Sequence, residues 1–214
     1  MRRIFVGATI AFCGVGALAP SASSAGTTVG QTGTPDQCAT GYGQVQFSTG
    51  GPPTWNIPID GTITSFSAPS LGIGEHTVLL LLRQVSGETY NVVAKSTPIT
   101  FTTASSVETF PVQIPAQAGE VIGNYGGVCS LATGSSSDQF YAYFGAEPAT
   151  GANQDFGSPA GANRRTDLSA NLEPNPTPPA GPTGQRAAAL KKCKKKHSAL
   201  ARRKCRKKAK LLPV

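Results

Sequence analysis

The stretch Thr77-Val78-Leu79-Leu80-Leu81-Leu82-Arg83-Gln84-Val85 decides the fold class of this chain. Its centre is apolar at odd and even positions alike, and no Gly, Pro or charge precedes Arg83. Gly74 bounds it on one side and Ser86-Gly87 on the other. A run this short fits a strand covered on both faces, not a helix or a membrane span. Outward from it, shorter segments of alternating polarity recur about every ten residues, the spacing of a sandwich or barrel. Val45 and Phe47 oppose Gln44 and Gln46, and Thr62–Ser67 follows the Asp60-Gly61 turn. Ser86-Gly87-Glu88 turns the chain into Tyr90–Ala94, and Ile99 and Phe101 alternate with Thr100 and Thr102. In the segment holding Phe110, Val112 and Ile114, Pro111 lacks an N–H, which predicts an edge or bulged strand. Val121-Ile122, Phe140–Phe144 and Leu168–Leu172 complete the series. The expected fold is all-β, an antiparallel β-sandwich of about nine or ten strands with no amphipathic helix before residue 186.

Composition agrees. Charged residues make up only 14%, against 25 Gly and 17 Pro, which suits a turn-rich extracellular β protein. The net charge of +8 averages unlike pieces: +2 over residues 1–25, −7 over 26–185 and +13 over 186–214, where no acid occurs. Residues 1–25 read as a secretory signal peptide. Arg2-Arg3 lead, an apolar run spans Ile4 to Leu18, and Ser23-Ser24-Ala25 offers a cleavage site. The run falls short of the roughly 20 residues a membrane span needs. Export by the general or the twin-arginine route is left open by Arg2-Arg3.

Four further segments follow. Residues 26–37, rich in Gly and Thr, read as a flexible leader, and 38–173 as the β-sandwich domain, long enough for its own core. Residues 174–189 form a Pro/Gly-rich linker. Its Glu173-Pro174-Asn175-Pro176-Thr177-Pro178-Pro179-Ala180-Gly181-Pro182 is an extended spacer of about 30 Å at ~3.1 Å per residue. Residues 190–214 form a basic, cysteine-containing tail. In an exported body an isolated cysteine pair, Cys38 and Cys129, is expected to bond, and two lone cysteines make no metal cluster.

The runs Pro58–Phe66, Leu82-Arg83, Ile114–Gly123 and Arg165–Pro174 together resemble exported, functionally uncharacterised jelly-roll-like domains of actinobacteria. The ending Lys204–Val214 resembles a tail found on many secreted proteins of those bacteria. The resemblance implies a jelly-roll-like sandwich and an exported location, and no activity. Some relatives carry an acidic, Asp/Gly-rich calcium-type repeat after the Glu-Pro; here the Pro-rich linker stands instead, so no calcium site is carried over.

Catalytic patterns are sparse. There is no Gly-x-Ser-x-Gly, His-Glu-x-x-His or phosphate-cradling loop, and no cofactor is expected. His76 follows Glu75 just before the central strand, where neighbouring strand residues face opposite ways. Asp60, Glu75, Glu120 and Asp138 are the carboxylates a glycosidase-type pair would draw on. Trp55, Tyr141 and Tyr143 are candidate sugar-stacking rings, with core or sheet-covering roles as the plainer alternative.

The tail carries the strongest signal. Lys191, Lys192, Lys194, Lys195, Lys196, Arg202, Arg203, Lys204, Arg206, Lys207, Lys208 and Lys210 form a candidate polyanion-binding set. Outside a cell the partner is an anionic wall polymer or lipid surface; no nucleic acid is expected, since no aromatic rings interleave for base stacking. Leu190, Cys193, His197 and Leu200 fall at helical spacing. One straight helix would hold Cys193 and Cys205 about 18 Å apart, whereas a disulfide needs Cα atoms within roughly 7 Å. Either the tail folds back near His197-Ser198-Ala199, or each cysteine pairs with another chain. Charge repulsion argues for a tail that is loose alone and orders on an anion. The function expected is a secreted, non-catalytic β-sandwich protein held at an anionic envelope surface. A carbohydrate-binding module or carbohydrate-active enzyme is the first alternative and a structural envelope protein the second, with a tail serving only solubility as the plain reading of its charge.

Overall fold

The uninterrupted apolar run forms β4 (His76–Ser86), and Thr77 through Leu82 are each at most 2 % exposed. Two separate surfaces cover it, because successive strand side chains point to opposite faces. The computed structural model describes residues 26–70, 72–157, 159–176 and 185–211, so the expected signal peptide 1–25 and linker positions 177–184 lie outside the described residues.

Among the described residues, thirteen strands build two antiparallel sheets. The four-stranded sheet runs β1 (Thr27–Gln31), β13 (Leu168–Pro174), β3 (Gly61–Pro69), β7 (Val107–Ala116). The larger sheet runs β10 (Asn153–Asp155), β5 (Thr89–Lys95), β4, β8 (Val121–Ala132), β2 (Gln37–Ser48), β9 (Gln139–Phe144), β11 (Pro159–Ala162). Off this path, β6 (Ile99–Thr100) pairs with β4 and β12 (Arg164–Thr166) with β8. This is an all-β sandwich with more short strands than the alternation shows. Pro111 lies on β7, at the open edge of its sheet and beside a register shift opposite Ile63/Ser65.

The two edge strands of the larger sheet, β10 and β11, are separated only by residues 156–158. Four Cα–Cα steps reach at most about 15 Å, so the sheet must curl until its edges approach. One row of facing residues crosses four strands, Leu80, Gly123, Val45 and Tyr141, and points into this roll. Phe156 closes it. Its ring is fully buried, 5.6 Å from Tyr90 and 6.0 Å from Tyr143, and a Cβ at Gly43 would stand 3.5 Å away. The alternate row, with Leu79, Leu81 and Ile122, shares one continuous core with Ile63, Phe66, Leu168 and Leu172 of the smaller sheet. Thus β4 is buried twice, by the roll and by the sandwich.

Two expectations are corrected. The leader 26–37 is not loose, because Thr27–Gln31 pairs with β13 and buries Val29. The linker is shorter than 174–189: β13 runs to Pro174, and α1 (Gln185–Lys194) already begins before residue 190. Cys38 and Cys129 are bonded, directly opposite one another in the β2–β8 ladder with Cα atoms 4.0 Å apart.

Candidate functional site

The tail folds as two helices, α1 and α2 (Ala199–Lys210). Ala, Leu, Lys and Arg are strong helix formers, and the break between the helices has a local cause. Ser198 is extended, and its hydroxyl accepts a hydrogen bond from Ala201 N at 3.2 Å, capping α2. Upstream, Lys195 N and Lys196 N donate to Lys192 O and Cys193 O, winding α1 to a close. The chain therefore reverses over 195–198, and His197 lies in the turn instead of on the apolar stripe that its spacing suggests. Cys193 and Cys205 bond within the chain, Cα atoms 5.5 Å apart, which chooses the folded-back arrangement over pairing with another chain.

All twelve candidate cations, Lys191 through Lys210, are exposed, and none takes part in the four ion pairs among the described residues. Lys191, Lys192 and Lys194 occupy the last turn of α1, and Lys207, Lys208 and Lys210 that of α2. Cations there suit the negative end of each helix dipole. On α2 the arginines lie on one face. Ala201, Cys205 and Ala209 line an apolar groove with Ala189 and Cys193 of α1, and Lys196, Lys204 and Lys208 line it too. Arg202, Arg203, Arg206, Lys207 and Lys210 share the opposite face. With twelve free cations and no carboxylate between residues 186 and 214, the hairpin is a surface that can attract and hold extended anions.

In the body, the structure disperses the sequence candidates. Trp55 is 2 % exposed and belongs to the core, so it has no ring face at the surface for a sugar, which corrects its candidacy. Tyr141 stacks on Phe47 with ring centroids 3.8 Å apart, and Tyr143 lies against Phe156; both pack on the core cluster from half-buried positions. The strongly exposed ring on β9 is instead Phe144, 75 % exposed and stacked on Tyr42 at 5.2 Å. His76 Nδ1 pairs with the Thr100 hydroxyl at 2.9 Å across the β4–β6 ladder.

Of the four candidate carboxylates, Asp60 and Glu120 come to one cleft, with Arg83 and Asn175. Both serve the β7–β8 turn: Asp60 accepts from Ala118 N at 2.9 Å, and Glu120 accepts from Gln117 N at 2.8 Å and pairs with Arg83. Asp138 lies elsewhere, fully buried against Arg165 at 3.0 Å. Burial would raise its carboxyl, but the Thr133 hydroxyl, Gly50 N–H and Arg165 outweigh that and hold it below the usual carboxylate range. Arg165 also donates to Gln31, Gly51 and Pro52, tying loops at one end of the sandwich. Asp167, which sequence reasoning passed over, is fully buried, and burial pushes its carboxyl up to about 6 despite the hydrogen bond from Gly33 N. Among the described residues no group of three or more His, Cys, Asp or Glu is placed to hold a metal ion, and no helix is long and apolar enough to cross a membrane.

Comparison with known protein families, with curated proteins and with solved structures returns no match for this chain. The chain's class rests on its own geometry: an antiparallel β-sandwich joined to a disulfide-closed cationic helical hairpin.

Proposed function

We propose that this is an exported, non-catalytic β-sandwich protein whose C-terminal hairpin holds it at an anionic wall polymer or lipid surface. The observation that carries the reading is the concentration of thirteen Lys and Arg, with no acid, in a covalently closed hairpin beyond a Pro-rich spacer. Two disulfides within the chain support export, since such bonds persist in oxidising compartments. The signal-like residues 1–25 support it further. The body carries −7, so at an anionic surface it is repelled while the tail is attracted.

The test uses the full chain and a full-length variant with Lys191, Lys192, Lys195, Arg202, Arg206 and Lys210 changed to Gln. Sedimentation with isolated wall polymer and with phosphatidylglycerol vesicles is followed from about 0.05 to 1 M salt. Wild type is expected to sediment at low salt and to be released as salt rises, while the variant stays in solution. Salt-insensitive retention, or equal retention of the variant, overturns the reading. The exposed ring of Phe144, stacked on half-buried Tyr42, favours a second reading, glycan contact by the body, because a flat apolar ring face can stack on a sugar. Saturation-transfer NMR with neutral oligosaccharides, compared between wild type and Phe144→Ala, tests it, and identical spectra count against it.

A further inference from the structure

The tail's cations are not equivalent. Three of its four arginines, Arg202, Arg203 and Arg206, lie with Lys207, Lys210 and Ala199 along one shallow groove of about 430 Å³ on α2. The cations of the 191–196 segment are all lysines. The groove faces away from the disulfide, since Cys205, Ala201 and Ala209 line the opposite, α1-facing side. The face is built from two rows. Arg202, Arg206 and Lys210 stand at i, i+4 and i+8, and Arg203 and Lys207 run beside them one residue on. Each four-residue step advances ~6 Å along the helix axis.

We infer that this α2 face is the seat of a linear phosphodiester polymer lying along the helix, while the lysines of 191–196 supply attraction at a distance. The inference rests on the polyanion reading above and narrows it. A guanidinium presents a planar fork matched to two oxygens of one phosphate, whereas an ammonium acts as a point charge. Two parallel rows fit a tetrahedral anion better than a planar one, because a phosphate between the rows offers an oxygen to each side. A planar carboxylate is satisfied by a single fork. A phosphodiester chain bridged by three-carbon units places successive phosphates six bonds apart, roughly 6–7 Å when extended. That is close to the row spacing, so successive phosphates meet the Arg202/Arg203 pair, the Arg206/Lys207 pair and Lys210.

The experiment uses the oxidised full chain and a synthetic poly(glycerol phosphate) as probe, with poly-glutamate of equal charge and phosphatidylglycerol vesicles as comparison arms. Two variants remove the same charge: R202Q/R206Q/K210Q from the α2 face and K191Q/K192Q/K195Q from the α1 side. A third, R202K/R203K/R206K, keeps charge and removes the forks. Circular dichroism confirms that each keeps wild-type helicity. The α2 triple is expected to weaken polymer binding at least about 30-fold, the α1 triple only a few-fold, and the all-lysine variant about 5- to 10-fold. Wild type should prefer the phosphate polymer to poly-glutamate. Equal losses from the two triples, an unchanged all-lysine variant, or equal binding to poly-glutamate would each overturn the α2 assignment while leaving the tether intact. Binding to vesicles but not to the polymer moves the phosphate to a lipid head group and overturns the linear-polymer claim. Failure of wild type to bind any arm removes the tether reading itself.

Discussion

In the β body, more than twenty apolar side chains at or below 6 % exposure form one connected core, from Val29 on β1 to Leu172 on β13. In the tail, the buried positions among the described residues are Cys193 and Ala209. The body is therefore held by burial, at about 25 cal/mol per Å² of apolar area removed from water. The tail has almost no such area. Two helices of 10 and 12 residues are marginal in water on their own. What joins them is the Cys193–Cys205 bond, working against the repulsion of thirteen cations. On this reckoning the body's disulfide adds to a fold that burial already supports, whereas the tail's fold depends on its disulfide.

The sharpest way to break this contrast is to remove each bond in turn. On the chain-entropy account, closing the 91-residue separation of Cys38 and Cys129 contributes about 5 kcal/mol, and the 12-residue separation in the tail about 3 kcal/mol. The larger number should have the smaller structural consequence. Cys38→Ser/Cys129→Ser is expected to lower the urea midpoint of the body yet leave one cooperative β transition. Cys193→Ser/Cys205→Ser should abolish the helical far-ultraviolet signal of the tail while the body melts as before. A body that fails to fold without its bond, or a tail that keeps its helicity, would reverse the comparison.

Closure of the roll gives the next largest effect. Phe156 is fully buried between the two edge strands, and Phe→Ala in such a site costs roughly 3–5 kcal/mol. Phe156→Ala should destabilise the body by that amount, and hydrogen exchange should show the amides of β10 and β11 opening before those of β4. A loss below about 1 kcal/mol would mean that the larger sheet holds its curl without this ring.

The same contrast sets what was legible in the chain beforehand. The double burial of β4 is written locally, as apolar residues at consecutive positions, and the edge position of β7 follows from the missing N–H of Pro111. The leader strand is not written locally. Thr27, Thr28, Gly30 and Gln31 are polar or small, and they become a strand only because β13, some 140 residues away, offers an edge. The roll is hidden for a similar reason: Asn153–Asp155 looks like loop, and nothing beside Phe156 says that two sheet edges meet there. Trp55 and Asp167 show the same gap for side chains, since burial depends on partners from distant strands. In the tail more is written locally, because cysteine spacing and helix geometry rule out one straight bonded helix and leave two arrangements, a fold-back or pairing between chains. The choice between them, the sharp start of α2 at Ser198 and the early start of α1 depend on the folded chain itself.

Two buried carboxylates sharpen the picture of the body through pH. Asp138 is held below the usual range, so the stability it contributes is present above its unfolded pKa and is lost as pH falls below that range. Asp167 is the opposite case. With its folded pKa raised from 3.8 to about 6, it binds a proton more tightly when folded, so stability is gained as pH falls from 6 toward 4 and withdrawn as pH rises. The withdrawn part is about 2–3 kcal/mol. Asp167→Asn keeps an acceptor for Gly33 N without the charge. It should raise the urea midpoint at pH 7.5, change little at pH 4.5, and flatten the slope between them. An unchanged slope would show that Asp167 ionises freely in the folded body.

The smallest effect concerns the turn that lets the tail fold back. Ser198 caps α2 with one hydrogen bond to Ala201 N, and its carbonyl accepts from Arg202 N. Replacing a serine cap by alanine costs about 1 kcal/mol. In the body, behind a large core, such a loss would shift a midpoint slightly and change nothing else. In the tail it falls on a hairpin that the disulfide holds by about 3 kcal/mol against charge repulsion, so it removes a large share of the margin. Ser198→Ala should therefore fray the first turn of α2 in the oxidised protein, seen as reduced helicity and faster exchange at Ala201 and Arg202. Ser198→Asp, which restores an acceptor and places a negative charge at the positive end of the helix, should recover or exceed wild-type helicity. Added salt should narrow the difference between Ser198→Ala and wild type, because screening relieves the repulsion that makes the margin thin. If Ser198→Ala is as helical as wild type at low salt, the disulfide alone fixes the turn and the cap contributes nothing measurable.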